Sequence, residues 1–110
     1  MLKYVLGAAA LVATAAVAAA ETVPIAQIKR GQSVTVQGEV DRFFDTDEIR
    51  LRDDSGTVRV YLGPRAVPID SGERITVEGV MDDDLVNNEL YARKITRANG
   101  DVIEITGEYD

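Results

Sequence analysis

The 110-residue chain contains no histidine and no cysteine. Without histidine it lacks the commonest general base and a leading metal ligand, the one side chain that ordinarily titrates near neutrality. Without cysteine it has no thiolate nucleophile, no thiolate zinc site, no disulfide and no anchor for a lipid. Gly-rich phosphate loops and the Gly-x-Ser-x-Gly elbow are also missing. Carboxylates are plentiful, but abundance without a pocket to shift their titration does not make an acid–base pair. The expectation is a protein without catalytic activity, cofactor or metal. Positive charge is scarce as well: 12 Lys and Arg stand against 19 Asp and Glu, a formal charge of -7. Such a surface does not favour nucleic acid or anionic membrane.

Long apolar runs are short too. Tyr4 to Val17 is apolar apart from Thr14, which falls below the roughly 20 residues a spanning helix needs. Lys3 precedes this run, and Ala18-Ala19-Ala20 follows it, ahead of Glu21. A basic start, an apolar centre and small residues at the cut are the pattern of a secretory leader. Residues 1–20 therefore read as a signal peptide and residues 21–110 as one exported domain, with no membrane insertion after cleavage. Losing Lys3 moves the formal charge to -8. A periplasmic address fits export without disulfides.

What is present is alternation. Val34, Val36, Gly38 and Val40 alternate with Thr35, Gln37, Glu39 and Asp41. Ile49 and Leu51 alternate with Arg50 and Arg52, and Val58, Val60 and Leu62 with Arg59 and Tyr61. A period of two predicts antiparallel strands with one buried and one wet face. Asp45-Thr46-Asp47 makes the first hairpin loop and Asp53-Asp54-Ser55-Gly56 the second, residues suited to tight reversal. Val23, Ile25 and Ile28 form a lead-in, either extended or a short helical turn. Gly63, Pro64 and Pro68 mark a connector with at most one helical turn. Glu73 to Val80 reads as a fourth strand, Glu89 to Arg97 as a fifth, and Val102 to Ile105 as a sixth after the Asn99-Gly100 hairpin signal. Thr106 to Asp110 reads as a frayed tail.

An internal echo supports this layout. Val34 to Asp41 resembles Ile75 to Asp82, each with a mid-strand glycine and an acidic loop behind it. Two such units separated by a connector suit a five-stranded Greek-key barrel, and the glycines suit its bends. Val36, Val40, Leu51, Val58, Val60 and Val77 should face inward, with Gly38 and Gly79 where no side chain fits.

The lead-in ending near Ile28, the Val36-Gln37-Gly38-Glu39-Val40 strand, the Leu51-Arg52-Asp53-Asp54-Ser55-Gly56 turn and Val77-Glu78-Gly79 with its acidic run resemble the bacterial OB-fold (BOF) family of small periplasmic proteins. The likeness covers Val23 to about Thr96. It implies an all-β, five-stranded Greek-key OB-fold barrel, here with an extra C-terminal strand, and a ligand-binding or stress-tolerance role. Two features depart from the family pattern: Pro64 and Pro68 stand where a helix is usual, and the Asn99-Gly100 hairpin is an extension.

Arg50, Arg52, Arg59 and Tyr61 should point outward on the face that OB-folds commonly use for ligands. The predicted register sets Arg50 against Arg59, unfavourable by itself. Two roles stay open: a salt-bridge ladder with Asp41 and Glu39, worth little energetically, or an anion site with Tyr61 as stacking or hydrogen-bonding neighbour. Asp45, Asp47 and Asp82-Asp83-Asp84 would repel phosphates, so an oligonucleotide is not expected. The Asp82-Asp83-Asp84 run, followed by Asn87, Asn88 and Glu89, lacks the spacing of a calcium loop and reads as solvated charge. The expected function is an exported, non-catalytic binding module in envelope stress tolerance. Its partner would be a small anionic ligand, a glycan or an envelope peptide or protein. The alternative is a structural or protein–protein interaction subunit docking through a strand edge or the Arg face.

Overall fold

The alternating runs become the walls of a barrel. The computed structural model describes residues 21–83 and 88–105. The leader, Asp84 and Asn87 of the acidic loop, and the tail from Thr106 lie outside the described residues. Among the described residues six strands follow in order: β1 (Ser33–Asp45), β2 (Glu48–Asp53), β3 (Gly56–Tyr61), β4 (Arg74–Met81), β5 (Glu89–Thr96) and β6 (Val102–Glu104). β1 pairs antiparallel with both β2 and β4, β2 with β3, and β4 with β5. A short parallel pairing of β3 with β5 closes the five-stranded ring. β6 lies outside that ring, antiparallel to the second half of β5. Closure removes the open edges that a small sheet would otherwise expose.

β1 is long because it serves two neighbours. Ser33 to Glu39 pair with β4, and Glu39 to Asp45 pair with β2. The strand changes partner at Glu39, next to Gly38, where a Cβ atom would strike the carbonyl oxygen of Arg52. Gly79 holds the equivalent place in β4, against the carbonyl of Tyr91, beside a register shift in the β4–β5 ladder. The two echoing segments lie side by side in the β1–β4 ladder. Val36 pairs with Val77, Val34 with Gly79 and Gly38 with Ile75, so the echo is a local twofold about the Val36–Val77 pair.

The six residues expected to face inward are all buried, and Ile49, Leu62, Ile75, Leu90 and Ile95 join them. Full burial of such aliphatic side chains stabilises a fold by about 1.5–3 kcal/mol each before the entropy of ordering is subtracted.

Both hairpin loops are tighter than expected, and the β2–β3 hairpin keeps the predicted register. Asp53 pairs with Gly56, so the β2–β3 reversal is Asp54-Ser55 alone; Arg52 still faces Thr57, and Arg50 faces Arg59. The lead-in forms a single 3₁₀ turn, Ile25–Gln27, with Ile25 buried. Asp53 fastens it: one carboxylate oxygen accepts the Ile25 N–H at 2.9 Å, and the other accepts the Ser55 N–H, the Ser55 hydroxyl and the Gly56 N–H. Desolvation raises the Asp53 pKa, but these bonds from Ser55, Ile25 and Gly56 outweigh it and leave the pKa below its ordinary value.

The connector between β3 and β4 holds no helix. Ile69 of the connector and Ile105, just past β6, are both buried and join Leu62 in the core. Ile105 is tied down by its N–H, which donates to the Arg93 carbonyl at 2.9 Å. The extra C-terminal strand thus brings apolar bulk to the connector end of the barrel, where the family resemblance implied a helix. Arg97 grips Glu73 with two nitrogens at 2.8 and 3.0 Å, joining the end of the connector to the end of β5. The Arg97 hydrogen bond, against a smaller desolvation effect, holds the Glu73 carboxyl below its ordinary pKa.

Candidate ligand-binding face

The outward residues of β1, β2 and β3 form one continuous polar face. Arg50 Nε donates to Asp41 at 2.6 Å, and Arg52 reaches Asp41 at 2.8 Å and Glu39 at 3.0 Å. Asp41 is only 17% exposed and holds both guanidinium groups at once. Arg59 donates to Glu48 at 2.9 Å, and β5 sets Glu89 beside it in register. The Arg50–Arg59 juxtaposition is therefore real, and the two members are compensated by different carboxylates, Asp41 and Glu48. The ladder predicted from Asp41 and Glu39 is present. Ion pairs this exposed contribute about 0–1 kcal/mol each, so their main effect is to hold donors and acceptors in fixed orientations.

An aromatic cluster adjoins the ladder. The Arg59 guanidinium lies 4.0 Å from the centre of the Phe44 ring, and Arg42 lies 5.2 Å from the same ring. Tyr61, two residues beyond Arg59 on the same side of β3, meets Tyr91 of β5 edge to face, with ring centres 6.0 Å apart. The Tyr91 hydroxyl donates to Asp82 at 3.2 Å. Cation–π contact orients a guanidinium without neutralising it, and the edge-to-face pair fixes the two rings at a steep angle to each other.

Arg50, Arg52, Arg59 and Tyr61 thus share one face, as the alternation required. Arg42 and Phe44 belong with them and do not follow from simple alternation; Tyr91 alternates outward between buried Leu90 and Ala92 and joins them through the β3–β5 pairing. Register shifts between Val40 and Arg42 and between Phe43 and Asp45 break the period of β1. Phe43 packs against the core, while Phe44 takes Arg59 and Arg42 on its ring. The adjacent Phe43-Phe44 pair, which strict alternation cannot bury whole, was the available signal. Among the described residues, no group of three or more Asp or Glu is arranged to hold a metal ion. A groove of about 640 Å³ runs over β1 and β4 beside the lead-in, lined by Val23, Lys29, Val34, Glu78 and Val80. It lacks aromatic side chains, so size and chemistry point to different places. The chemistry is the better guide here, because an open groove between packed elements is common on any small barrel.

A five-stranded antiparallel barrel in the ring order β1-β2-β3-β5-β4, closed by a parallel β3–β5 pair, is an OB fold. Solved structures agree. The chain is similar to the telomere capping protein Ten1 from Saccharomyces pombe, at 24% identity and a TM-score of 0.60 over 73% of this chain and 82% of that one. It is similar to a chain of the S. pombe Stn1–Ten1 complex, at 24% identity and a TM-score of 0.58 over 76% and 81%. It is also similar to the protein ygiW from E. coli, at 18% identity and a TM-score of 0.56 over 71% and 90%. At these identities the likeness is one of fold, and at that level it bears out the bacterial OB-fold resemblance read from the sequence. No protein-family model and no curated protein matches the chain.

Proposed function

We propose that the protein is an exported, non-catalytic OB-fold binding module that takes a glycan on the outer face of β1–β3, in a role in envelope stress tolerance. The observation that carries this is the charge-balanced ladder set against aromatic rings. A free anion would have to displace a carboxylate already bonded to Arg50, Arg52 or Arg59. A sugar asks for no net charge. Its hydroxyls can use the outer lone pairs and N–H groups of paired side chains, and its apolar face can lie against Tyr61 or Tyr91. Sites of this kind combine an apolar or aromatic surface with a few fixed polar groups. Export through residues 1–20 supplies the compartment where envelope glycans occur.

The test is a chemical-shift titration of the purified protein with envelope glycan fragments, envelope peptides and inorganic phosphate. Glycan-induced shifts centred on Phe44, Arg59, Tyr61 and Tyr91, lost in Arg59→Glu and Tyr61→Ala, are expected. Raising salt to about 0.15 M should leave them intact, whereas it would weaken an exposed anion site. Shifts with phosphate and none with glycan would overturn the glycan assignment. A second reading, protein docking, rests on Val102, which is 54% exposed on β6. Shifts confined to β6 on adding an envelope peptide would favour it.

A further inference from the structure

The hairpin joining β5 to β6 lies away from the ligand face. Its Arg97-Ala98-Asn99-Gly100 turn closes with the Gly100 N–H donating to the Arg97 carbonyl at 2.9 Å, and the Arg97 N–H donates to the Asp101 carbonyl at 2.8 Å. Gly100 sits at a φ of 95°, the left-handed position that follows such a turn. Ala98, Asn99 and Gly100 are all exposed. The Asn99 side chain is folded back over the Gly100 peptide: its oxygen accepts the Asp101 N–H at 2.9 Å, and its nitrogen donates to the Asp101 carboxylate at 3.3 Å.

We propose that Asn99-Gly100 is a site of spontaneous covalent modification, the deamidation of Asn99 to aspartate and isoaspartate, and that the product loosens β6 from β5. Glycine is the residue that lets its own backbone nitrogen approach a neighbouring side chain, because no Cβ blocks the path. The Gly100 nitrogen loses its proton and attacks Cγ of Asn99. The Asp101 N–H already polarises the carbonyl under attack and stabilises the negative oxygen that forms, as an oxyanion-hole donor does. The bond from Cγ to the side-chain nitrogen then breaks, and that nitrogen takes up a proton and leaves as ammonia. Solvent base takes the Gly100 proton, and solvent water at this exposed turn supplies the proton that leaves with ammonia. Water adds to either carbonyl of the resulting five-membered imide, which opens to aspartate or isoaspartate. The sum is asparagine plus water giving the acid plus ammonia, with no oxidation or reduction. The attack first requires the bond from Gly100 to Arg97 to open, so the rate follows opening of this exposed hairpin.

The product acts on the fold through charge and length. A carboxylate at position 99 faces the Asp101 carboxylate where the amide had donated to it, and like charges at that separation repel. Isoaspartate also adds a carbon to the main chain of a three-residue loop. β6 holds to β5 through only three paired positions, and the buried Ile105 follows directly behind it.

The full chain, purified after export, is aged at mildly alkaline pH and 37 °C, and its peptides are followed by mass spectrometry. The Asn99 peptide should gain the mass difference between an amide and an acid and split into aspartyl and isoaspartyl peaks. It should do so faster than the peptide holding Asn87 and Asn88. Asn99→Gln, whose longer side chain cannot close the same five-membered ring, should stay unmodified. Amide exchange at Ile103 and Ile105 should quicken in the aged wild type and in Asn99→Asp, and not in aged Asn99→Gln. An Asn99 peptide that persists unchanged while Asn87 or Asn88 reacts would overturn the site. Modification with unchanged exchange at Ile103 and Ile105 would overturn the release of β6.

Discussion

Replacing Ile105 by alanine tests whether the C-terminal strand is part of the core or an ornament on it. Ile105 is 8% exposed, and its Cγ2 lies 2.6 Å from where a side chain at Gly63 would begin. The substitution removes three carbon atoms. At about 0.8 kcal/mol per buried methylene group the transfer loss is about 2.4 kcal/mol, and a residual cavity would add to it. Ile105 sits at the end of a short strand, where neighbours can collapse, so the expected cost is about 2–3 kcal/mol, the lower part of the range for such truncations. For a domain of this size that lowers Tm by about 10–20 °C. Val102, at 54% exposure on the same strand, is the internal control; its alanine variant should stay within about 0.5 kcal/mol of wild type. Thermal and urea unfolding followed by circular dichroism would measure both. An unchanged midpoint for Ile105→Ala, or equal losses for the two variants, would show that β6 packs on the barrel without closing it.

Alanine at Gly38 or Gly79 places a Cβ against a backbone carbonyl, Arg52 or Tyr91, which cannot rotate away. Each should cost about 1–3 kcal/mol by forced separation of strands, read as a lower urea midpoint; an unchanged midpoint would deny the close approach. Asp53 and Glu73 titrate below their ordinary range in the folded state, so the stability they contribute is present above the unfolded carboxylate pKa of about 4 and is lost as pH falls through the lowered folded values. The stability gap between wild type and Asp53→Asn should therefore narrow on acidification below about pH 4; a gap that widens with acid would reverse the sign.

Much of the barrel was legible along the chain because alternation is a local, one-dimensional property. Val36, Val40, Leu51, Val58, Val60 and Val77 face inward since a strand turns each successive side chain to the opposite face. The β2–β3 register follows from a short loop, and Gly38 and Gly79 stood out as the only glycines inside otherwise valine-rich runs. The ladder to Asp41 and Glu39 was legible for the same reason, since its partners are nearest neighbours across one hairpin.

Other features needed the closed fold. Phe44 and Arg42 joined the outer polar face through two register shifts in β1, and a bulge changes the facing of every residue beyond it without leaving a mark in composition. Tyr91 reached Tyr61 only because β3 and β5, far apart in sequence, pair in parallel to close the ring. Asp53 reads as a turn residue, yet its carboxylate spends one oxygen on the lead-in 28 residues away. Ile105 looks like the end of an exposed strand until β6 carries it to the connector end of the barrel. The chain by itself determined which residues point in or out within each strand, because that depends on neighbours two residues away. Which outward residues meet one another was decided by closure and bulges, since contact across a barrel depends on shear and curvature summed over all five strands.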